Sequence, residues 1–149
     1  MSILIRLCEP DDFNSGHLSI LGQLSDTVSN ISKDKYSNRL TTLYSQKCFV
    51  FVAIDNRRNR EDRIVGSATI MLESKLIHEC GAVGHIEDVV VREGMRGLGI
   101  GRLLVAHLIN FARQNGAYKC ILDCATHNIP FYKRCGLETK EHHMAMYFE

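Results

Sequence analysis

The sequence lacks several features that would place it in a specialised class of protein. Its 18 lysines and arginines nearly balance 17 aspartates and glutamates, so the net charge of +1 gives no reason to expect nucleic acid or an anionic membrane as a partner. It has no run of 18 apolar residues that could span a bilayer, no internal repeat and no low-complexity segment. With 45% hydrophobic and 23% charged residues, it predicts one globular domain over residues 1–149.

The six cysteines show no CxxC pair and no recurring spacing, and the chain opens without a recognisable secretory signal. We therefore expect reduced thiols in a reducing compartment, either the cytoplasm or a reducing organelle matrix. Cys120 and Cys124 could be read as a metal-binding pair. They lie in the strand-like segment YKCILDC with no second pair nearby, so we expect no metal.

The first half of the chain predicts strands and helices in alternation. Strands are expected over residues 2–8, 48–54 and 64–73, and helices over 17–26 and 32–46. The polar segment 55–63 carries four arginines, which we interpret as the solvated tip of a hairpin rather than as a nucleic-acid patch. A hairpin here makes the front of the sheet antiparallel.

The second half predicts a change to parallel pairing. A strand over 85–91, a glycine loop, a helix over 101–114 and a strand over 118–124 form one unit, whose two strands should be parallel and joined by a right-handed crossover. A short helix over 128–136, capped by Asn128 and stopped by Gly136, and a last strand over 144–148 follow. The fold class predicted is α/β (α+β), a mixed and mostly antiparallel sheet flanked by helices.

The glycine loop MRGLGIGRLL, residues 95–104, indicates a phosphate site. It fails the dinucleotide pattern GxGxxG, because Arg102 and Leu104 stand where a third glycine is needed. It also fails the P-loop pattern, because Ile100 and Gly101 replace the lysine and the hydroxyl residue. The loop could be only a tight turn between strand and helix, for which one or two glycines would suffice.

The remaining pattern, Arg96-x-x-Gly99-x-Gly101 after an apolar strand, resembles the acetyl-CoA motif of the GNAT superfamily of N-acetyltransferases. Backbone N–H groups at a helix N-terminus attract a pyrophosphate, and glycine lets the backbone approach it. The resemblance implies acetyl-CoA as co-substrate, held in part by backbone groups of the strand DVVV. The implied cofactor residues are Val89, Val90, Val91, Arg96, Gly97, Leu98, Gly99, Ile100, Gly101, Arg102, Asn128, Tyr132, Lys133 and Arg134.

A narrower resemblance covers most of the chain from residue 21 to 136. The order and spacing of five segments is similar to that of the glucosamine 6-phosphate N-acetyltransferase family: LGQLSDT, KLIHECGAVGHIEDVVV, RGLGIGRLL, YKCILDC and NIPFYKRCG. The resemblance implies acetyl transfer from acetyl-CoA to the amine of glucosamine 6-phosphate, a step of UDP-N-acetylglucosamine biosynthesis. It also implies a homodimer, with the KLIH segment and the last strand near the boundary.

The residues implied to act in catalysis are Tyr132, Asp123 and Glu87. Tyr132 matches the tyrosine near the sulphur and would donate a hydrogen bond or a proton to the leaving thiolate. Glu87 and Asp88 would contact the sugar, one of them helping to take up the amine proton, and Asp123 matches a residue beside the reacting amine. The alternative structural role for Tyr132 is that of a packed aromatic side chain, and for the carboxylates that of a solvated strand end. Glu87 and Asp88 should point to opposite faces of the strand.

The implied acceptor site is basic, as a sugar phosphate requires. One departure concerns the last strand, where Tyr147 stands in place of a phosphate-binding arginine; His142 and His143 lie close enough in sequence to compensate. Ser25 stands where a threonine is usual and keeps the hydroxyl. The implied substrate residues are Ser25, Lys75, Leu76, Ile77, His78, Glu87, Asp88, Tyr118, Lys119 and Tyr147.

Two other functions stay open on sequence grounds. One is an acetyltransferase for a different amine, such as a protein N-terminus, a lysine or an aryl amine, for which Tyr147 is the main argument. A peptide acceptor predicts an open acidic groove, and a sugar phosphate predicts a closed basic pocket. The other is a non-catalytic acyl-CoA-binding module, against which Tyr132, Glu87 and Asp123 argue.

Overall fold

Residues 2–148 are described by a computed structural model, in which strands and helices alternate along the chain. Five strands form one sheet in chain order: β1 (Leu4–Leu7), β2 (Cys48–Ile54), β3 (Ile64–Ser74), β4 (Ala82–Val91) and β5 (Ala117–Ile121). The helices are α1 (His17–Leu21), α2 (Lys33–Ser45), α3 (Ile77–Cys80), α4 (Ile100–Gln114) and α5 (Ile129–Arg134). Short 3-10 turns lie at Pro10–Ser15, Asp26–Asn30, Arg60–Asp62 and Thr126–Asn128.

The sheet has the predicted change of direction. Strands β1 to β4 pair antiparallel, and β4 pairs with β5 in parallel. The crossover between β4 and β5 contains the glycine loop and α4, because a parallel connection needs a helix-sized return. The mixed sheet and the parallel pair at the glycine loop are therefore confirmed.

Apolar residues of the sheet are buried on both faces. On one face, Ile70 and Ile86 pack against Leu104 and Leu108 of α4. The other face packs on α1 and α2, and its core includes Ile20, Leu40, Val52 and Val90. Alternate residues of β2 and β3 thus serve opposite cores, as the period of two of a strand requires.

A buried network of polar side chains links the end of β1 to α1, α2 and β3. The Tyr36 hydroxyl lies 2.6 Å from Nδ1 of His17 and 2.9 Å from Sγ of Cys8. Nε2 of His17 lies 2.8 Å from the Ser67 hydroxyl, and the imidazole is only 2% exposed. Burial lowers the pKa of His17 to about 4, so the ring is neutral at physiological pH.

The arginine-rich segment 55–63 joins β2 to β3 as predicted, and aspartates neutralise three of its arginines. Arg57 forms a bidentate pair with Asp55, and Arg58 pairs with Asp62. Arg60 reaches across to Asp11, at 2.5 Å. These pairs leave little free positive charge for nucleic acid, which agrees with the interpretation as a hairpin tip.

Some predicted boundaries are wrong. The strand expected over 85–91 begins at Ala82, because residues 82–84 already pair with β3. The helix expected over 17–26 ends at Leu21, because the chain turns at Gly22 and Ser25 then begins a 3-10 turn by accepting from Thr27 N at 3.4 Å. The strand expected over 118–124 ends at Ile121, so Cys124 lies beyond the sheet and does not share a strand face with Cys120.

The strand predicted over 144–148 is also wrong for the single chain. Residues 137–148 contain no helix or strand, and Met144, Tyr147 and Phe148 are 90–94% exposed. A strand is stable only where its N–H and C=O groups find a partner edge. The segment has the apolar residues of a strand without a partner for it.

Some expected absences can be stated only for residues 2–148. All six cysteines lie in this range, and each is a free thiol. No helix in the range is both long and apolar enough to cross a bilayer. No group of three or more His, Cys, Asp or Glu side chains there is arranged to hold a metal ion.

Candidate active site

Strands β4 and β5 separate where the candidate site begins. They pair only from Ala82 with Ala117 to His85 with Ile121. Strand β4 then continues to Val91 after β5 has ended, so this part of its edge has no strand partner on that side among residues 2–148. A strand edge with free N–H and C=O groups can pair with an extended ligand.

A bulge in β4 lies at the same place. Ser67 and Thr69 of β3 pair with Val90 and Glu87, so β4 carries one extra residue between them, and Asp88 has a left-handed φ of 51°. A bulge shifts the alternation of every later residue. The sequence did not show it, and the expectation that Glu87 and Asp88 alternate across a regular strand is wrong.

Three candidate catalytic residues come together beside this opening. Glu87 lies on β4, Asp123 follows β5, and Tyr132 is on α5. Partial burial raises the pKa of the Glu87 carboxyl, and the charges of Asp123 and Asp88 raise it further. A carboxyl group in such surroundings takes up a proton more readily than a free one.

Tyr132 is half-buried and keeps its proton. Burial raises its pKa to about 12, and the nearby Cys124, Cys135, Asp123 and Glu87 add to the shift. Its ring meets Phe131 edge-to-face with 4.9 Å between centroids and packs on the core of α4. The hydroxyl is therefore fixed in place and able to donate a hydrogen bond at physiological pH.

The glycine loop reaches α4 through residues with left-handed φ. Gly94, Gly97 and Gly99 have φ of 81°, 78° and 82°, and Gly99 is the N-cap of α4 without a side-chain cap. The first N–H groups of α4 are consequently available to an anion. Gly101 serves packing instead, since a Cβ there would lie 3.1 Å from Cζ of Phe131.

The other implied cofactor residues differ in what they can offer. The side chains of Val90 and Ile100 are buried, so only their backbones can reach a ligand, whereas Leu98 and Arg102 are exposed. The predicted side-chain cap at Asn128 is wrong, because a 3-10 turn leads directly into α5 and Asn128 makes no capping hydrogen bond. Three cofactor candidates are exposed: Asn128 just before α5, and Lys133 and Arg134 in its last turn.

A second group of candidates lies at the opposite end of β4 and β5. The ring of His78, on α3, stacks on Tyr118 with 4.0 Å between centroids, and Lys119 Nζ lies 5.8 Å from the centroid of Tyr118. In α3, three consecutive residues from His78 have left-handed φ, which turns Leu76 and Ile77 outward, 91% and 62% exposed.

One chain does not bring the two groups together. Lys119 pairs in register with Val83, four residues before Glu87 on β4, so the backbones of the two groups are about 13 Å apart. Tyr147 is 94% exposed and contributes nothing to either group. The Ser25 hydroxyl lies 2.8 Å from that of Thr27 and helps to begin a 3-10 turn.

Comparison with known proteins identifies the family. The profile of the acetyltransferase (GNAT) family matches residues 22–137, which is more than half of the chain. The chain belongs to this acetyltransferase family. It is 35% identical over 147 residues to glucosamine 6-phosphate N-acetyltransferase 1 of Dictyostelium discoideum, with 97% of this chain and 90% of that protein covered.

Two further comparisons involve Arabidopsis thaliana. Its glucosamine 6-phosphate N-acetyltransferase is 34% identical over 146 residues, which cover 97% of this chain and 96% of that protein. The crystal structure of the glucosamine-6-phosphate N-acetyltransferase from the same organism matches with a TM-score of 0.91 at 32% identity, over 100% of both chains. The predicted GNAT fold and the predicted acetyltransferase class are thereby confirmed.

Sequence reasoning missed two ionisable residues near the candidate site, Glu73 and His85. His85 Nε2 lies 2.6 Å from Glu73 Oε2, and Lys75 Nζ lies 2.5 Å from Glu73 Oε1. His143 Nδ1 lies 3.6 Å from Asp123 Oδ2. The HIED segment was noted for its carboxylates, yet His85 stands two residues before Glu87 and so on the same face of β4.

Proposed function

We propose that this GNAT domain transfers the acetyl group of acetyl-CoA to the amine of glucosamine 6-phosphate, releasing CoA and N-acetylglucosamine 6-phosphate for UDP-N-acetylglucosamine biosynthesis. The observation that carries the proposal is the meeting of Glu87, Asp123 and Tyr132 at the open edge of β4. The relatives with this activity in their names match nearly the whole chain, which supports the choice of acceptor.

The reaction needs a base, a hydrogen-bond donor to the carbonyl oxygen and a hydrogen-bond donor to the leaving thiolate. The neutral amine attacks the thioester carbonyl, so a base must take its proton, and Glu87 with its raised pKa suits this role. A backbone N–H of the free β4 edge can polarise the carbonyl oxygen. The C–S bond then breaks, and the Tyr132 hydroxyl donates a hydrogen bond to the departing thiolate.

The donor is bound by backbone more than by side chains in this proposal. The pantetheine arm pairs with the β4 edge from Val89 to Val91, and the pyrophosphate meets the first N–H groups of α4 behind Gly99. Arg96 is well placed to help, since it is exposed and its Nε lies 3.4 Å from the carbonyl oxygen of Val91. No covalent intermediate with the enzyme is required.

The acceptor site is completed by a second copy of the chain. The carboxylates of Glu87 and Asp123 are exposed in one chain, and the cluster of His78, Tyr118 and Lys119 lies at the other end of the paired part of β4 and β5. We infer a homodimer in which His78 and its neighbours face the partner's Glu87. This closes an open acidic groove into a pocket that also has positive charge for the phosphate.

The C-terminal segment supports the same assembly. Met144, Met146, Tyr147 and Phe148 are 79–94% exposed, and β5 is an edge strand of the sheet. Pairing with a second copy would give this segment the backbone partner that it lacks and cover its apolar side chains. Tyr147, in the position expected for an arginine, would reach the pocket only by this route.

A different amine acceptor is the second candidate. The exposed carboxylates of Glu87 and Asp123 and the absence of an arginine at position 147 both favour a peptide or aryl amine over a sugar phosphate. The six free thiols support function in a reducing compartment, the cytoplasm or an organelle matrix, for either acceptor.

The deciding experiment compares thiol release from acetyl-CoA with three acceptors: glucosamine 6-phosphate, glucosamine and a peptide amine. We expect a clear preference for the phosphorylated sugar, which Lys119→Ala reduces and Lys35→Ala, on the exposed face of α2, leaves intact. Equal rates for the two sugars would contradict the phosphate site. Turnover of the peptide alone would favour the second candidate, and no turnover with any amine would favour a binding module.

A further inference from the structure

A row of ionisable side chains runs along one face of β3 and β4, away from α4. Ile86 points into the α4 core, so its neighbours His85 and Glu87 lie on the opposite face. Glu73 pairs in register with Val83, two residues before His85, and shares this face. The Glu87 carboxylate, which is proposed to bind the amine, is thus followed along this face by the imidazole of His85 and the carboxylate of Glu73.

Glu73 fixes the proton state and the orientation of His85. The carboxylate only accepts, so the 2.6 Å contact is a bond donated by Nε2–H of His85. The neutral ring therefore keeps its lone pair on Nδ1. Glu73 also accepts from Lys75 at 2.5 Å, and both partners hold the pKa of its carboxyl below the usual value. A carboxylate so held stays charged and stabilises an imidazolium beside it.

His85 and Glu87 share one face of β4. The Cα atoms of residues two apart on a strand are about 7 Å apart, so side chains that lean towards each other can be connected through water. The positive form of His85 lowers the pKa of Glu87, against the raising effects of burial, Asp123 and Asp88. His143 acts on Glu87 in the same direction as His85. The His85 side chain is 23% exposed, so the ring also reaches solvent.

The reaction leaves one proton to be removed. A sugar amine that binds as an ammonium ion carries three N–H protons; the amide product keeps one, and the CoA thiol takes one. The third must reach solvent in every turnover. Glu87 can accept it but cannot accept the next one until it is discharged.

We propose that His85, held by Glu73, is a positioning residue that discharges Glu87: it takes the proton from the Glu87 carboxyl through water and passes it to solvent. The inference rests on the proposed function. No oxidant is involved. The O–H bond of the protonated Glu87 carboxyl breaks, an N–H bond forms at Nδ1 of His85, and His85 then releases that proton to solvent, while the CoA thiol takes the other proton that leaves the amine.

The kinetic test compares His85→Gln and Glu73→Gln with His107→Gln and Glu61→Gln, which lie outside the site. His85→Gln should lower kcat about tenfold or more, shift the acidic limb of its pH profile and leave the KM for acetyl-CoA nearly unchanged. Glu73→Gln should have a smaller effect of the same kind, since the amide still accepts from Nε2–H. Added imidazole should restore part of the activity of His85→Gln, which a purely structural defect would not allow.

A second measurement needs no turnover. The titration of the Glu87 carboxyl, followed by carbon NMR, should move to higher pH in His85→Gln and stay in place in His107→Gln. An unmoved Glu87 titration, or a His85→Gln enzyme with the kcat and pH profile of the wild type, would overturn the inference. If the wild type acetylates a different amine, the proposed acceptor is wrong. The same kinetic comparisons, made with that amine, then test the role of His85 separately.

Discussion

At the scale of single residues, position in the fold separates groups that the sequence cannot tell apart. Tyr36 and Tyr132 are both tyrosines with raised pKa values, and burial is the main cause in both. Tyr36 is enclosed between His17 and Cys8, where its hydroxyl completes a buried network. Tyr132 stands beside two carboxylates at an open strand edge, where its hydroxyl can meet a ligand.

Tyr132→Phe should lower kcat about 10²-fold, because the thiolate loses its hydrogen-bond donor while the ring keeps its packing on Phe131. The KM for acetyl-CoA and the free energy of unfolding should change little. Steady-state kinetics and urea denaturation measure these quantities. Tyr44→Phe is the control, since its hydroxyl binds the Cys8 carbonyl: it should lose about 1 kcal/mol of stability and keep its kcat. A normal kcat in Tyr132→Phe would show that Tyr132 contributes only to packing and not to catalysis.

His17 should make stability depend on pH. Its pKa is about 4 in the folded chain and 6.5 when unfolded, so the unfolded chain binds a proton that the folded chain does not. Stability should be complete above pH 6.5 and fall as the pH drops towards 4, by about 2 kcal/mol at pH 5. Urea denaturation at pH 7 and pH 5 measures this loss.

The matched variants for this prediction are His17→Gln and His127→Gln. His17→Gln should be less stable at pH 7, because it disturbs the contacts to Tyr36 and Ser67, yet show a flatter pH dependence than the wild type. His127, exposed in the turn before α5, should not affect the slope. An unchanged slope in His17→Gln would show that other groups cause the dependence.

At the scale of elements, two irregularities create the candidate site. The bulge at Asp88 ends the regular alternation of β4, so that Val89 and Val91 pack towards α4 and Val90 towards α1. The early end of β5 leaves the β4 edge free at the same level. A regular pair of full-length strands would close the opening with its own hydrogen bonds.

The glycine loop can be tested with two glycines of equal backbone conformation. Gly99 and Gly116 have φ of 82° and 83°, and a Cβ at either would meet no atom within 4 Å. Alanine at each should therefore cost about 1 kcal/mol of stability through left-handed φ alone. Only Gly99→Ala should also weaken acetyl-CoA binding, by about tenfold, since it alone lies at the start of α4.

Calorimetric titration with acetyl-CoA and urea denaturation separate the two effects. Equal acetyl-CoA affinity in Gly99→Ala and Gly116→Ala would remove the proposed role of the loop. Gly101→Ala belongs to a different class, because its Cβ would press on Phe131 and so displace the helix that carries Tyr132.

At the scale of the whole molecule, the proposed pocket needs two chains. The acetyl-transfer group and the cluster around His78 occupy opposite ends of β4 and β5 in one chain. The single chain also exposes its apolar C-terminal segment. The proposed homodimer would explain both features, because a second copy would supply what the first lacks.

Subunit complementation tests this arrangement. Tyr132→Phe and His78→Ala chains should each be poorly active alone. After mixing and refolding, mixed dimers should recover activity, because one of their two pockets combines an intact Tyr132 with the partner's intact His78. Acetyl transfer measured against the unmixed proteins reports the gain. No recovery, with dimers present by light scattering, would place both residues in a pocket of one chain.

The sequence predicted most of the fold, for identifiable reasons. The continuous apolar run CFVFVAI and the helical stripe with its Ser32 cap are local signals. Both elements formed as expected, with Ser32 Oγ accepting from Lys35 N at 3.2 Å. The segment 144–148 has equally good strand residues and formed no strand in the single chain. Local pattern gives the tendency to extend, and a partner edge decides whether a strand exists.

The amino-acid sequence by itself determined the family, because the family depends on residue types and short spacings. For the same reason it predicted a phosphate loop and the residues proposed for acetyl transfer. Only the tertiary structure decided where those residues meet. It placed Glu87, Asp123 and Tyr132 together, separated them from His78, and added His85 through its bond to Glu73. The physical reason is that these contacts join residues distant in the chain, through a strand register and a bulge that no local pattern specifies.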